Sequence, residues 1–371
     1  MSWRDLRVGL VGPLPPPAGG MANQTRQLLE LLRQEGADVE FVQTNAPAQP
    51  AWTGRVRGLR AVVRLIPYVG ALWRLASKVD VVHIMANSGW SWHLAAAPAI
   101  WIARLRGKRI VVNYRGGEAE AFLRRSHRLV LPTMRSADIV AVPSGYLCDV
   151  FARFGLRAEI VPNIVDLARF RPASGGERRD GAVRILVARN LEPIYDIATA
   201  LRAHAIVRQR VAAELVVAGS GPDLEPLKAL AEELGTQGAV TFVGRQDRDA
   251  MAELYRGADV ALNPSRVDNM PNSILEALAS GVPVVSTAVG GIPYVVRDGV
   301  TALLVPSGQP EAVAEAILRV LTDEALAARL RAAGHSEAAK YAWPNVRERL
   351  LSAYEAALRS DPHSRLPAVR P

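Results

Sequence analysis

The chain has 371 residues, 49% hydrophobic and 22% charged, which suits two globular domains with their own cores and argues against a disordered chain. Its single cysteine, Cys148, excludes a disulfide framework within the chain, fits a reducing compartment and reads as a buried small residue. The net charge of +9 is uneven: residues 1–172 hold 23 basic against 12 acidic side chains, the rest 22 against 24, so the first half suits an anionic partner.

Met1–Arg7 runs straight into an apolar segment with no signal-peptide pattern. The longest apolar stretch, Leu94–Ala103, contains Pro98 and is too short to span a bilayer. A cytoplasmic protein is expected, at most peripheral to the cytoplasmic face of a membrane. In chain order, Arg7–Gly12, Val39–Val42, Val79–Met85, Arg109–Asn113, Asp138–Val142 and Glu159–Val161 predict short strands. Helices fall between them, the first over Met21–Glu35 with Leu28, Leu29, Leu31 and Leu32 on its apolar side. Val- and Ile-rich runs separated by helices predict parallel strands covered on both faces.

Arg171–Gly181 is polar, Gly-rich and without apolar periodicity, and predicts a linker. The alternation then restarts with strands predicted at Val183–Ala188, Glu214–Ala218, Val240–Val243, Val260–Leu262, Val282–Ser286 and Leu303–Val305. Two such series predict two Rossmann-like, doubly wound α/β domains facing across a cleft, the natural ligand site of such an arrangement. The tail from Pro362 is expected to be disordered.

The most informative segment is Asn263–Gly299. Asp268 is followed by seven residues and then Glu276, with a turn at Asn269–Asn272, a helix predicted from Asn272 to Ser280 and a Gly290-Gly291 turn beyond. A loop entering a helix N-terminus favours an anion such as a diphosphate. Two carboxylates so placed suit vicinal hydroxyls at the two ends of one extended ligand. Arg189, ending the first strand of its series, is the cation that offsets their charge. Singly, Glu276 reads as a solvated helix residue, Arg189 as a strand-end cation and Asp268 as a helix cap; their joint spacing favours ligand contact.

The run Glu276-Ala277-Leu278-Ala279-Ser280-Gly281-Val282-Pro283-Val284-Val285, with Asp268 before it, resembles family 4 of the retaining, GT-B-fold glycosyltransferases. Val217–Pro222, Phe242–Gly244, Ala258–Ser265 and Pro162–Asp166 match further pieces of that family in order. The resemblance implies transfer of a sugar from a nucleoside-diphosphate sugar, with Glu276 on the ribose, Asp268 on the transferred sugar and Arg189 on the diphosphate. Val243 and Gly244 are then expected at the base, and the amides near Asn272 and Ser273 at the phosphate and sugar. It also implies an acceptor-binding domain over 1–170, a linker over 171–181, a nucleotide-sugar domain over 182–342, and a helix over 343–360 that packs back on the first domain. The family's first Glu is Asp268 here, and its usual Lys five residues after the Arg is Ile194, so one cation of the pattern is missing.

In the first half, the loop Pro13–Met21 ends in Gly19-Gly20 at a helix start, where backbone can approach a donor closely. It is not a dinucleotide fingerprint. Arg115, following a strand in Asn113–Glu118, is expected to face donor or acceptor and to share the catalytic role with Asp268. His83, at a strand end, fits either a cleft or a satisfied core. No His/Cys/Asp cluster suggests a metal site, and no other cofactor is expected. Arg55–Lys78 holds six basic residues and no acid, with Arg57, Arg60 and Arg64 on one helical face and Val56, Leu59, Val63 and Ile66 on another. That pattern suits either an anionic membrane surface or a solvated core-facing helix. The expected acceptor is a lipid-linked saccharide, a polysaccharide or another glycoconjugate precursor; no nucleic-acid motif is present. The alternatives are a non-catalytic nucleotide-sugar-binding member of a polysaccharide assembly complex, or a sugar-nucleotide epimerase of the same shape.

Overall fold

The computed structural model describes residues 2–16, 19–46, 59–173 and 181–360, with the side chains of 59–64 outside that description. The expectations for the linker core 174–180, for Arg55, Val56, Arg57 and the side chains of Leu59, Arg60, Val63 and Arg64, and for the tail 361–371 fall outside the described residues. The chain divides into two compact units, Met1–Ile164 with Val346–Pro371, and Val165–Asn345.

In the first unit, strands β1 (Arg7–Gly12), β2 (Asp38–Gln43), β3 (Val81–Ala86), β4 (Arg109–Tyr114), β5 (Ile139–Val142) and β6 (Glu159–Ile160) form one parallel sheet in the order β2-β1-β3-β4-β5-β6. Helices α1 (Gly20–Gln34), α2 (Leu59–Lys78), α3 (Ala97–Leu105), α4 (Ala119–Met134) and α5 (Gly145–Arg153) connect them. A π-helical turn at Trp92–Ala96 leads into α3. The inner strands are buried on both faces, as their near-continuous Val/Ile runs require: β3, β4 and β5 expose almost nothing, whereas the edge strands β2 and β6 are partly exposed.

The second unit repeats the scheme with β7 (Val183–Ala188), β8 (Ala213–Ala218), β9 (Val240–Gly244), β10 (Val260–Asn263), β11 (Val284–Thr287) and β12 (Leu303–Val305). Its parallel order is β12-β11-β10-β7-β8-β9. Helices α6 (Ile197–Arg208), α7 (Leu224–Glu233), α8 (Arg248–Arg256), α9 (Asn272–Ala279), α10 (Ile292–Val295), α11 (Pro310–Thr322) and α12 (Glu324–Ala339) surround it. The chain order of strands reverses between β7 and β10, so the loops after these two strands diverge and leave a crevice at the carboxyl edge of the sheet.

The last helix, α13 (Trp343–Arg359), belongs to the first unit from Val346 onward. It buries Val346, Leu350, Ala353, Tyr354 and Ala357. The Tyr354 ring lies 6.1 Å from that of Trp3 and 5.7 Å from that of His83, both edge-on. The unit boundary falls at Ile164/Val165, short of the expected 170. Val165 N–H bonds the Tyr341 carbonyl, and Phe170 packs 5.9 Å from the Tyr255 ring in the core of the second unit.

Candidate functional site

The crevice of the second unit is built by strand-end loops. Arg189 directly follows β7, and Ser265 and Asp268 follow β10. Arg189 donates from Nε and Nη2 to Ser265 Oγ at 3.2 and 3.1 Å, and its guanidinium pairs with the Asp268 carboxylate. It also stacks over Tyr195, 4.5 Å from the ring centroid. Burial lowers the Arg189 pKa, opposed by the nearby Tyr195, Tyr255 and Glu276; a guanidinium keeps its charge in such surroundings.

Ser265 is fixed in turn. Its hydroxyl donates to Asn263 Oδ1 at 2.7 Å, and its carbonyl accepts from Thr287 Oγ1 at 2.6 Å. Asp268 is set by close backbone contact: Gly291 N–H donates to its carbonyl at 3.0 Å, and its Oδ1 accepts from Asn269 N–H at 2.9 Å. Gly290 adopts φ +53°, and a Cβ there would stand 2.0 Å from the Asp268 carbonyl oxygen. Only glycine permits that approach.

Glu276 lies on the second turn of α9, partly buried. Burial pushes its carboxyl up to about 7, against the opposing pull of Arg248, a hydrogen bond from Tyr255 and the charge of Arg189. Tyr255 is buried on α8, and its hydroxyl is 3.3 Å from Glu276 Oε2 and 3.1 Å from the Ser273 carbonyl. Asn272 and Ser273 form the first turn of α9, whose N-terminal N–H groups and dipole favour an anion. The Ser273 hydroxyl oxygen is buried without a hydrogen-bond partner. Val243 and Gly244 close β9 beside this edge: Gln246 Nε2 donates to the Val243 carbonyl, and Gly219 N–H to that of Gly244 at 2.9 Å. Arg189, Asp268 and Glu276 therefore share one electrostatic neighbourhood, with α9 and the end of β9 adjoining.

Tyr255, Ser265, Tyr195 and Arg248 were not singled out from the sequence. Tyr195 directly follows Ile194, the position of the missing Lys, and Ser265 ends the Ala258–Ser265 piece. Tyr255 and Arg248 reach Glu276 from α8, and nothing local in their own segment signals it. At Ile194, the position of the missing Lys, the backbone carbonyl accepts from Arg266 N–H at 2.8 Å, and the Arg266 side chain is engaged with Asp196 at 2.8 Å.

The other predicted residues lie in the first unit. Gly19 caps α1 with an extended backbone, and Gly20 begins the helix. The preceding loop is tied down by Asn45, which bonds Leu14 through both its N–H and its carbonyl. Arg115 follows β4; its Nε donates to Asn113 Oδ1 at 3.0 Å and its Nη1 to Asn163 Oδ1. It lines a small pocket with Gln24 of α1, Asn113, Pro162 and Ile164. Burial brings its pKa down to about 10. His83 is the satisfied core histidine: fully buried, it accepts from Asn113 Nδ2 at 3.1 Å and meets Tyr354 Oη at 2.8 Å through Nδ1. Burial and Arg115 hold it down at about 3, hence neutral. Cys148 is half-buried rather than fully buried, and burial raises its thiol pKa.

The family described as Glycosyl transferases group 1 matches residues 174–337, and Glycosyltransferase Family 4 matches residues 18–169. A D-inositol 3-phosphate glycosyltransferase of Salinispora arenicola is 30% identical over 316 residues, covering 77% of this chain and 70% of that protein. The chain spans 57% to 70% of the length of the first curated relatives it matches. The fold is similar to sucrose-phosphate synthase from Thermosynechococcus elongatus, with TM-score 0.76, 22% identity and 94% and 98% of the two chains covered. It is also similar to Anabaena HepE in complex with UDP and glucose, with TM-score 0.73, 17% identity and 94% and 99% covered.

Proposed function

The chain belongs to the group 1, family 4 glycosyltransferases of GT-B fold, and on that premise we propose that it moves a hexosyl group from a nucleoside-diphosphate sugar to a phosphate-bearing or lipid-linked saccharide acceptor, with retention of anomeric configuration. The observation that carries the reading is the Arg189–Asp268 pair at the strand-order reversal, beside Glu276 and the first turn of α9. Glu276 accepts from the ribose hydroxyls, and Asp268 from hydroxyls of the transferred sugar. Arg189 and the α9 amides at Asn272 and Ser273 bind the diphosphate, and Val243 and Gly244 flank the base. In the first unit, Gly19, Gly20 and Arg115 contact substrate.

The catalytic task follows from this set. The leaving diphosphate gains negative charge, and a buried guanidinium plus a helix N-terminus stabilise that charge without reorganising. Donor binding draws Arg189 from Asp268 toward the phosphates, leaving Asp268 to orient the sugar. The leaving diphosphate oxygen then takes the acceptor's proton on the face from which it departs, so the protein chiefly positions reactants. The reaction is proposed to need no protein-bound metal. An anionic acceptor is supported by the +11 charge of residues 1–172 and by the inositol phosphate in the relative's name.

The test is incubation with a panel of nucleoside-diphosphate sugars and inositol phosphate or lipid-phosphate acceptors. Nucleoside diphosphate release and the anomeric coupling of the product are followed by NMR. Transfer with a retained anomer is expected, and an inverted product overturns the retaining mechanism. Binding without turnover favours the assembly-complex alternative, and a changed sugar still attached to its nucleotide favours the epimerase.

A further inference from the structure

Of the twelve exposed large apolar side chains among the described residues, eight fall between Ile66 and Leu129. They are not scattered. On α2, Ile66, Val69 and Trp73 follow helical spacing along one exposed stripe. Leu94, Trp101 and Leu105 do the same on the π-helical turn and α3, with Leu105 76% exposed.

Specific contacts join these stripes into one surface. Tyr68 Oη on α2 donates to the Ala95 carbonyl at 2.8 Å, and the Arg106 guanidinium lies 4.7 Å over the Trp73 ring. Trp101 Nε1 donates at 3.3 Å to Thr133 Oγ1 on α4, one turn from exposed Leu129. Soluble surfaces rarely present so many contiguous apolar side chains without a partner.

The charge around them selects that partner. Residues 65–131 contain ten basic and three acidic side chains. Two of the acids are already paired: Asp80 with Arg7, and Glu120 with Arg124 and Arg153. The core of a protein–protein interface is depleted of charge. Here a guanidinium stacks on a Trp of the patch, and Arg124, Arg125 and Arg128 are exposed on α4 beside Leu129. Trp rings with interleaved Arg suit the headgroup layer of an anionic bilayer, where the ring body is buried and the cation meets lipid phosphate.

We infer that this face of the first unit, from α2 across α3 to α4, docks on an anionic lipid membrane. The surface consists of described side chains and does not rest on Arg57, Arg60 or Arg64. No helix among the described residues is long and apolar enough to cross a membrane, so the contact is with the bilayer surface. The inference needs neither donor binding nor turnover, so it stands or falls apart from the transferase reading.

The experiment is co-sedimentation of the full chain with vesicles of phosphatidylcholine alone and of phosphatidylcholine with phosphatidylglycerol. Binding to the mixed vesicles is expected, weakened by salt, and reduced about tenfold or more by Trp73→Ser with Leu105→Ser, as loss of apolar insertion requires. Should that pair fail to fold, Ile66→Ser with Val69→Ser leaves the Arg106–Trp73 stack intact and is expected to lower binding likewise. Absence of binding overturns the inference, as does binding that neither folded variant reduces. A concentration-dependent dimer abolished by the same substitutions also overturns it, assigning the face to a second copy of the chain.

Discussion

Glu276 is held where its charge is costly: partly buried, facing a buried Tyr255, with Arg189 and Arg248 as the cations that temper the cost. Its carboxyl stands at about 7 against an ordinary 4.5, so between those values the folded chain holds a proton that the unfolded chain has released. By linkage, the stability contributed is full below the unfolded pKa and is lost as pH rises through about 7. The melting temperature of the wild type is expected to fall more between about pH 5 and about pH 8 than that of Glu276→Gln. A donor whose ribose hydroxyls bond the ionised carboxylate should bind more tightly as pH rises through the same window, and Glu276→Gln should remove that dependence. Equal pH profiles for the two proteins would contradict both statements. Tyr354→Phe tests the first unit in the same way. It leaves buried His83 Nδ1 without its partner and is expected to cost about 1–3 kcal/mol in urea unfolding. The spacing of Asp268 and Glu276 was legible because one helix entry carries both. Tyr255 and Arg248 were not, because their roles exist only once α8 packs beside α9.

At the scale of elements, the crevice depends on loops packed closer than any side chain allows. Gly219 adopts φ +159°, and a Cβ there would stand 1.8 Å from the Arg189 carbonyl. Gly290 holds the Asp268 loop in the same manner. Gly219→Ala and Gly290→Ala are each expected to destabilise by about 2 kcal/mol or more, since backbone must move to admit the methyl. They should also weaken nucleotide binding beyond the loss of stability, and full donor affinity in Gly290→Ala would contradict the loop's role. Strand placement was largely legible, because a parallel strand buried on both faces needs a continuous Val/Ile run. The departures have local causes. Val282 was expected to open β11, but its N–H turns back to the Ala277 carbonyl to close α9, with Gly281 at φ +67°. Pro283 has no N–H for the ladder, so β11 starts at Val284. The basic amphipathic pattern of Arg55–Lys78 suits either an anionic membrane surface or a solvated core-facing helix. The exposed Trp101 and Leu105 that enlarge the surface sit on another helix, within and just beyond the apolar stretch Leu94–Ala103, which the sequence marks only as too short to span a bilayer.

At the scale of the molecule, the first unit is completed by the far end of the chain. Truncation at residue 342 removes the buried Val346, Leu350, Ala353, Tyr354 and Ala357 from its core. Burial of side chains the size of Val346 and Leu350 contributes about 1.5–3 kcal/mol each, and a domain's whole margin is only about 5–15 kcal/mol. The truncated chain is expected to lose the cooperative melting of the first unit. A truncated protein that melts as the full chain does would contradict this account of α13. The return of the last helix was implied by family resemblance. That Val165–Phe170 belongs to the second unit was not, because Phe170 finds its partner Tyr255 far along the chain.

On the function proposed above, the second unit binds a nucleoside diphosphate through Glu276 and Arg189. Titration calorimetry of the full chain with UDP, GDP, ADP and CDP tests it most directly. One of these is expected to bind with 1:1 stoichiometry, and Glu276→Ala, folded by its melting curve, is expected to lose at least about tenfold in affinity, the scale of a hydrogen bond to a charged group. Binding undiminished in both Glu276→Ala and Arg189→Ala, or no binding of any nucleoside diphosphate to the wild type, would contradict the claim.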